Sequence, residues 1–205
     1  MMPSPAGPSL FDELEKGLIS DIRANDLLTE LHRGLSPEGL RPALRAERDE
    51  VVKTAVWILA ELAGGGFALW DELPRLFRHT DKRVRYWAVD AAHHAVPSDP
   101  VMLAEVAALV GDSEFVVAWR ALKLVVTASD EQVEAAARTF PALGVLLGDA
   151  SSPIAPVEQN VAPMDHRLAV ARLLRSPGGR THLGKLVADQ DLAVQRLASD
   201  LSESQ

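Results

Sequence analysis

The sequence contains no cysteine among its 205 residues. This absence excludes disulfides, thiolate zinc sites, iron–sulfur clusters and cysteine nucleophiles. Aromatic residues make up only 5 % of the chain, and Tyr86 is its single tyrosine. The hydrophobic content of 47 % therefore comes mainly from Ala, Leu and Val. Such a composition favours close-packed helices over a β-sheet.

Basic residues are outnumbered as well, with 21 Lys and Arg against 29 Asp and Glu, which gives a formal net charge of −8. A chain of this charge repels phosphate, so we do not expect nucleic acid as its partner. No apolar run approaches the roughly 18 residues that a membrane span requires, and we expect no membrane partner. Residues 1–8 lack the basic and apolar regions of a signal peptide, which favours a cytoplasmic protein.

Apolar residues recur at spacings of three and four along the chain, which predicts helices and no strand. The starts Ser36-Pro37, Ser98-Asp99-Pro100 and Ser129-Asp130 are typical of helix caps. The run 64–66 of three glycines predicts a helix end in the left-handed conformation. The expected helices span 9–32 with a break near 21–26, and then 38–46, 50–63, 68–79, 82–96, 99–110, 114–128, 130–147, 165–175 and 181–201.

A repeat of 33 residues organises the apolar positions between 36 and 128. Each repeat is a helix pair that cannot bury its own apolar stripe, so neighbouring pairs must stack. Three columns fall in the first helices and four in the second. They are Leu40/Leu73/Val106, Ala43/Leu76/Leu109 and Leu44/Phe77/Val110, followed by Val51/Val84/Val117, Ala55/Ala88/Ala121, Val56/Val89/Leu122 and Leu59/Ala92/Val125.

Two turns share an acidic residue followed by a helix start, at 81–85 and at 49–53, and Pro42 and Pro74 lie in the first helices. With Ala55 and Ala88, this pattern resembles HEAT-like repeats. The resemblance implies an all-α fold, an α-α superhelix that forms a short HEAT-like solenoid of antiparallel helix pairs. We predict a single domain over 1–205. It has an N-terminal helical cap (9–35), repeats (36–148), a proline-rich loop (149–163) and a C-terminal helical cap (164–205).

The sequence offers no pattern that predicts catalysis or a cofactor. It has no G-x-S-x-G motif, and its glycine runs lack the Lys-Ser/Thr of a phosphate loop. His93 and His94 point about 100° apart on a helix and do not share one metal. Asp90 is their only carboxylate neighbour at helical spacing. We therefore predict no catalytic residue, no metal and no cofactor.

The candidate binding residues lie on the second helices, beside the buried columns. Their columns mix aromatic residues with charges of both signs, a composition typical of binding hot spots. The HEAT-like resemblance implies that second helices line a concave face. An alternative is that Trp57 and Trp119 fill space between units while the charges are solvated. The predicted partner-binding residues are Lys53, Trp57, Glu61, Tyr86, Asp90, His94, Trp119 and Lys123.

A second candidate is the basic C-terminal segment, which has no acidic residue between His166 and Val187. It could contact nucleic acid or an acidic partner, or form a solvated helix face. Its basic residues are Arg167, Arg172, Arg175, Arg180 and Lys185.

These observations favour a non-enzymatic protein-binding module that is a monomer in isolation. Small HEAT-like proteins include immunity proteins, so the resemblance implies a bacterial toxin-neutralising role. The acidic chain would attract a basic toxin or effector as its partner. The alternative is a HEAT-like DNA-repair glycosylase or another nucleic-acid-binding enzyme, with Trp57, Tyr86 and Trp119 as aromatics and Asp90 as the acid.

Overall fold

The computed structural model describes residues 9–96, 99–147 and 163–203, and every regular element within them is helical. The chain forms two compact units, unit 1 over residues 1–94 and unit 2 over residues 95–205. The single domain expected from the sequence, with its internal boundaries, stays a prediction. Within the expected loop 149–163, only Pro163 lies among the described residues, where it begins a helix.

Unit 1 contains two N-terminal helices, the short α1 and the longer α2, and two helix pairs. In each pair a 3₁₀ helix leads into one α-helical turn, and a longer second helix follows. The elements are α1 (Leu10–Glu15), α2 (Asp21–His32), the 3₁₀ helix Pro37–Leu40 with α3 (Arg41–Leu44), α4 (Asp49–Glu61), the 3₁₀ helix Ala63–Glu72 with α5 (Leu73–Leu76), and α6 (Lys82–Ala95), whose last residue belongs to unit 2.

Unit 2 repeats the alternation of short and long helices. Its elements are α7 (Pro100–Ala108) with the 3₁₀ helix Leu109–Gly111, α8 (Phe115–Thr127), α9 (Asp130–Ala137), the 3₁₀ helix Pro141–Leu147, α10 (Pro163–Arg175), the 3₁₀ helix Gly179–His182 with α11 (Leu183–Leu186), and α12 (Leu192–Glu203). Helix α8 packs against both α10 and α12.

The first break in the helical pattern lies earlier than the sequence predicts. The chain leaves α1 at Gly17, which has a φ of +63°, and re-enters a helix at Ser20, whose hydroxyl accepts a hydrogen bond from the Arg23 amide. Because this turn resets the helical register, Leu18 and Ile22 are exposed instead of joining one buried stripe.

The first helices of the pairs are not the continuous helices expected at 38–46 and 68–79. Pro42 and Pro74 each occupy the first turn of a one-turn α-helix, where a missing N–H breaks no hydrogen bond. The expectation for the glycine run 64–66 is also wrong. Ala63 takes the left-handed conformation, with a φ of 49°, and the glycines enter the 3₁₀ helix that begins there.

The repeat columns form the core of both units. Every column residue is buried except Leu109, which is partly exposed. The C-terminal pair shares part of this pattern at an offset of 77 residues from the third repeat. Its counterparts Leu183, Leu186, Val194 and Ala198 are buried, whereas Val187 is exposed and the last two columns hold serine. The segment predicted as the C-terminal helical cap therefore repeats the core pattern only in part.

A buried carboxylate joins the first helices of unit 1. Glu72 is only 3 % exposed, and its Oε1 accepts hydrogen bonds from Arg41 Nη1 at 2.7 Å and Arg45 Nε at 2.8 Å. Burial raises the pKa of Glu72, but the hydrogen bonds and charges of Arg45 and Arg41 lower it by more, so it lies below its ordinary value. These ion pairs connect the first helices of two repeats, and all three residues lie outside the second helices.

Candidate functional site

A groove of about 430 Å³ lies in unit 1 on the exposed sides of α2, α4 and α6. Trp57 of α4 and Trp87 of α6 both line it and are partly exposed. We call it the Trp57–Trp87 groove. The other lining residues are Asp21, Ala24 and Asn25 from α2, Lys53 and Thr54 from α4, and Arg83 from α6.

The helical period places these side chains in the groove. On α4, Lys53 and Trp57 are one turn apart, whereas Val52, Ala55 and Leu59 face the core and are buried. The Lys53 ammonium pairs with the Glu50 carboxylate one turn before it. The groove therefore combines a partly exposed aromatic surface with nearby charges of both signs.

The structure brings together some of the predicted site residues of unit 1. Lys53 and Trp57 line the groove, and the ring of Tyr86 meets that of Trp87 edge-on, with 5.0 Å between centroids and a 78° interplanar angle. Glu61 on α4 is exposed outside the groove lining.

Asp90 and His94 also lie on α6 outside the groove lining, Asp90 partly buried and His94 exposed. The rings of His93 and His94 are 5.8 Å apart at 86°. Among the described residues, no three His, Asp or Glu side chains form a group that could hold a metal ion.

The other two predicted site residues, Trp119 and Lys123, lie together in unit 2. Three cations surround the Trp119 ring, which is partly buried. Arg196 Cζ lies 5.3 Å from its centroid, Arg120 Cζ 5.9 Å and Lys123 Nζ 6.0 Å. Each such contact at an exposed site contributes about 0.5–1 kcal/mol.

Asp200 completes this arrangement, which we call the Trp119 cluster: Trp119, Arg120, Lys123, Arg196 and Asp200. Its carboxylate pairs with Lys123 at 3.1 Å and with Arg196 at 3.2 Å. Helices α8 and α12 pack together and bring these residues into contact. Whether the eight predicted residues bind a partner stays a prediction.

Sequence reasoning missed three residues that the structure adds. The first is Trp87, which directly follows the predicted Tyr86 and lines the groove in its place. Arg196 and Asp200 occupy the columns of Trp119 and Lys123 when the C-terminal pair is aligned at an offset of 77 residues. That offset is not a multiple of 33, so the 33-residue register does not align Arg196 and Asp200 with Trp119 and Lys123.

The basic C-terminal segment is exposed only in part: Arg180 and Lys185 are exposed, whereas Arg172 is partly buried. The side chains of Arg167 and Arg175 are only 8 % exposed. Arg167 donates to the carbonyl oxygens of Val110 at 2.7 Å and Asp112 at 3.1 Å and pairs with Asp191. Arg175 donates to carbonyl oxygens at the end of α8, including that of Val125 at 3.1 Å. Both arginines satisfy backbone acceptors at helix ends, which accounts for their burial, and partner contact by the segment stays a prediction.

No helix in the described ranges is long and apolar enough to cross a membrane. No protein-family model matches the chain, and no curated protein matches it.

Solved structures do resemble it. An engineered protein is 18 % identical with a TM-score of 0.51, covering 94 % of this chain and 96 % of that chain. A designed armadillo repeat protein in complex with the peptide (KR)4 is 17 % identical with a TM-score of 0.47, covering 95 % and 97 %. Another designed armadillo repeat protein is 20 % identical with a TM-score of 0.46, covering 96 % and 93 %.

At these identities the likeness concerns the fold alone. Together with the helical elements, it confirms the predicted fold class: the chain is an all-α helical-repeat solenoid. The narrower resemblance to HEAT-like immunity proteins stays a prediction.

Proposed function

We propose that this chain is a non-enzymatic protein-binding module that holds its partner on the exposed sides of its second helices. The observation that carries the proposal is the Trp57–Trp87 groove. It presents two partly exposed tryptophans on adjacent second helices, with Lys53, Arg83 and Asp21 beside them. Tryptophans that a partner can desolvate, next to charges that fix its orientation, dominate the energetics of protein interfaces.

The groove chemistry favours binding over catalysis. Thr54 is its only lining hydroxyl, and that hydroxyl donates to the Glu50 carbonyl at 3.0 Å. Among the described residues that line the groove, no nucleophile is paired with a general base, the arrangement that covalent catalysis requires. Lys53, which already pairs with Glu50, is suited to orient a partner group.

A more specific form of the proposal is an immunity-type role, in which the chain covers the active surface of a toxin in the cytoplasm. The net charge of −8 supports it, because an acidic protein attracts a basic partner and accelerates the encounter. A DNA-repair enzyme would need salt-sensitive affinity for duplex DNA, which an acidic inhibitor would lack.

The test compares capture of partners from a lysate of the source organism by three forms of the full chain: wild type, Trp57→Ala and Trp70→Ala. Trp70 lies on the 3₁₀ helix Ala63–Glu72, outside the groove lining, and is also partly exposed, so it controls for loss of any indole. We expect one protein near one-to-one with wild type and Trp70→Ala. Trp57→Ala should weaken its binding by about 2 kcal/mol, roughly 30-fold.

Circular dichroism of the three forms would establish that each is folded. Equal capture of the same partner by Trp57→Ala and wild type would contradict the proposed binding face. Recovery of no protein, together with salt-sensitive binding of duplex DNA and release of a base, would support the DNA-repair alternative instead.

A further inference from the structure

The Trp119 cluster gathers positive charge in an acidic part of the chain. Residues 95–205 contain nine basic and fourteen acidic residues. Three of the nine basic side chains lie within 6.0 Å of the Trp119 ring centroid. Two others, Arg167 and Arg175, are buried against backbone carbonyls. The charge on this exposed side of α8 and α12 therefore differs in sign from that of the unit as a whole.

The charges inside the cluster do not balance. Lys123 and Arg196 pair with the two oxygens of one carboxylate, that of Asp200, which is 11 % exposed. Within this group of three side chains, one negative charge between two cations leaves a formal excess of +1. The Lys123 and Arg196 side chains are 32 % and 56 % exposed. Because an ammonium carries three donors and a guanidinium five, both can donate to a second acceptor from solvent.

We infer that the Trp119 cluster binds an acidic peptide segment of a protein partner. Carboxylates of the segment accept hydrogen bonds from Lys123 and Arg196, and its apolar side chains pack on Trp119. The planar guanidinium of Arg196 suits a carboxylate, which it can bind through two parallel hydrogen bonds. The inference rests on the proposed function and names the chemistry of the partner segment that the second helices of unit 2 would bind.

A peptide fits these charges better than a nucleic acid does. Salt screens charges beyond about 8–10 Å, so a short acidic segment responds mainly to the cluster itself. A nucleic acid extends over many phosphates and is repelled by the net negative charge of the chain. A partner that is basic as a whole can still present an acidic segment here, so the inference concerns the docked segment alone.

The test measures fluorescence anisotropy of dye-labelled probes with the full chain at an ionic strength of about 0.1 M, where the screening length is about 10 Å. The probes are a hexapeptide of four glutamates and two leucines, its counterpart with four lysines, and a single strand of DNA of about twenty nucleotides, which extends beyond the cluster. We expect the glutamate peptide to bind more tightly than both others, and its affinity to fall as salt is raised. The double variant Lys123→Gln/Arg196→Gln should weaken this binding at least about tenfold, and so should Trp119→Ala.

The matched control is Arg138→Gln/Lys185→Gln, which removes the same charge from exposed positions of unit 2 outside the cluster. It should change the affinity by less than about twofold. Because Arg196 is largely exposed, Arg196→Gln alone provides a folded variant if the double variant or Trp119→Ala loses its circular dichroism signal. It should still weaken binding several-fold.

The inference is overturned if the glutamate peptide binds no better than the lysine peptide, or if the control loses as much affinity as the cluster variants. Tighter binding of the DNA strand that depends on Lys123 and Arg196 would assign the cluster to nucleic acid instead. If these results go against the cluster while the Trp57-dependent partner is still captured, only the inference fails and the proposed function stands.

Discussion

Substitution of Glu72 by Gln tests the electrostatic link between the first helices of unit 1. The change keeps the side-chain shape and removes the charge that Arg41 and Arg45 share. A hydrogen bond to a charged group contributes about 1.5–3 kcal/mol. The Gln oxygen still accepts one bond, and Arg41 keeps Glu38 and Asp71 as partners. We therefore expect a loss of about 2 kcal/mol at neutral pH, or a fall in Tm of about 4–8 °C for a chain of this length.

The pH dependence gives a second, independent signature. The pKa of Glu72 is lower in the folded chain than its ordinary value of about 4.3. Its contribution is therefore fully present above that value and is lost as the pH falls through the folded pKa. The stability difference between wild type and Glu72→Gln should be largest near neutral pH and should shrink below about pH 4.

The assay is urea unfolding followed by circular dichroism between neutral pH and about pH 3. Asp71→Asn is the control, because it removes a carboxylate that pairs with the same Arg41 but is 62 % exposed. An exposed pair contributes little, so its cost should stay within about 1 kcal/mol. Equal stability of Glu72→Gln and wild type at neutral pH would refute the reasoning, and so would a difference that stays constant as the pH falls.

Two further substitutions test the repeat register and a helix cap. Ala88 is fully buried in α6, so Ala88→Leu should overpack the repeat junction and lower the stability by about 1–3 kcal/mol. The control Ala108→Leu, at an exposed position, should be nearly neutral. An unchanged Tm for Ala88→Leu would contradict the 33-residue register. Ser129 and Gln132 form a reciprocal capping box at the start of α9. Ser129→Ala should therefore cost about 1 kcal/mol in urea unfolding, and Ser129→Asp should recover most of it; a full loss in the Asp variant would argue against capping.

The fold could be predicted from the sequence because the buried apolar positions recur at a fixed spacing. A helix pair buries the same positions in each repeat, so Val51, Val84 and Val117 recur at a fixed spacing and are all buried. The first helices were predicted less well. Local backbone chemistry at Pro42 and Pro74 divides each of them into a 3₁₀ and an α segment, and the apolar period does not report this division.

The candidate site could be predicted from the sequence only in part. The register placed Lys53 and Trp57 on the exposed side of α4, where the groove lies. On α6 the register selected Tyr86, whereas Trp87 lines the groove. These neighbours point about 100° apart, so α6 is rotated relative to the position that the register assigns to it. The approach of Arg196 and Asp200 to Trp119 depends on how α8 and α12 pack.

The buried arginines show a different limit of the sequence. Arg167 and Arg175 look like members of a basic surface segment. Their burial depends on carbonyl groups at helix ends elsewhere in unit 2, and no residue pattern encodes that contact.

The most direct test of the proposed binding face is hydroxyl-radical footprinting of the chain alone and in complex with its captured partner. The account predicts that oxidation of Trp57 and Trp87 falls in the complex, because a partner in the groove excludes solvent from both rings. Oxidation of Trp70, which lies outside the groove lining, should stay the same. Unchanged oxidation of Trp57 and Trp87 in a complex that is fully bound would contradict the account and place the partner on another surface.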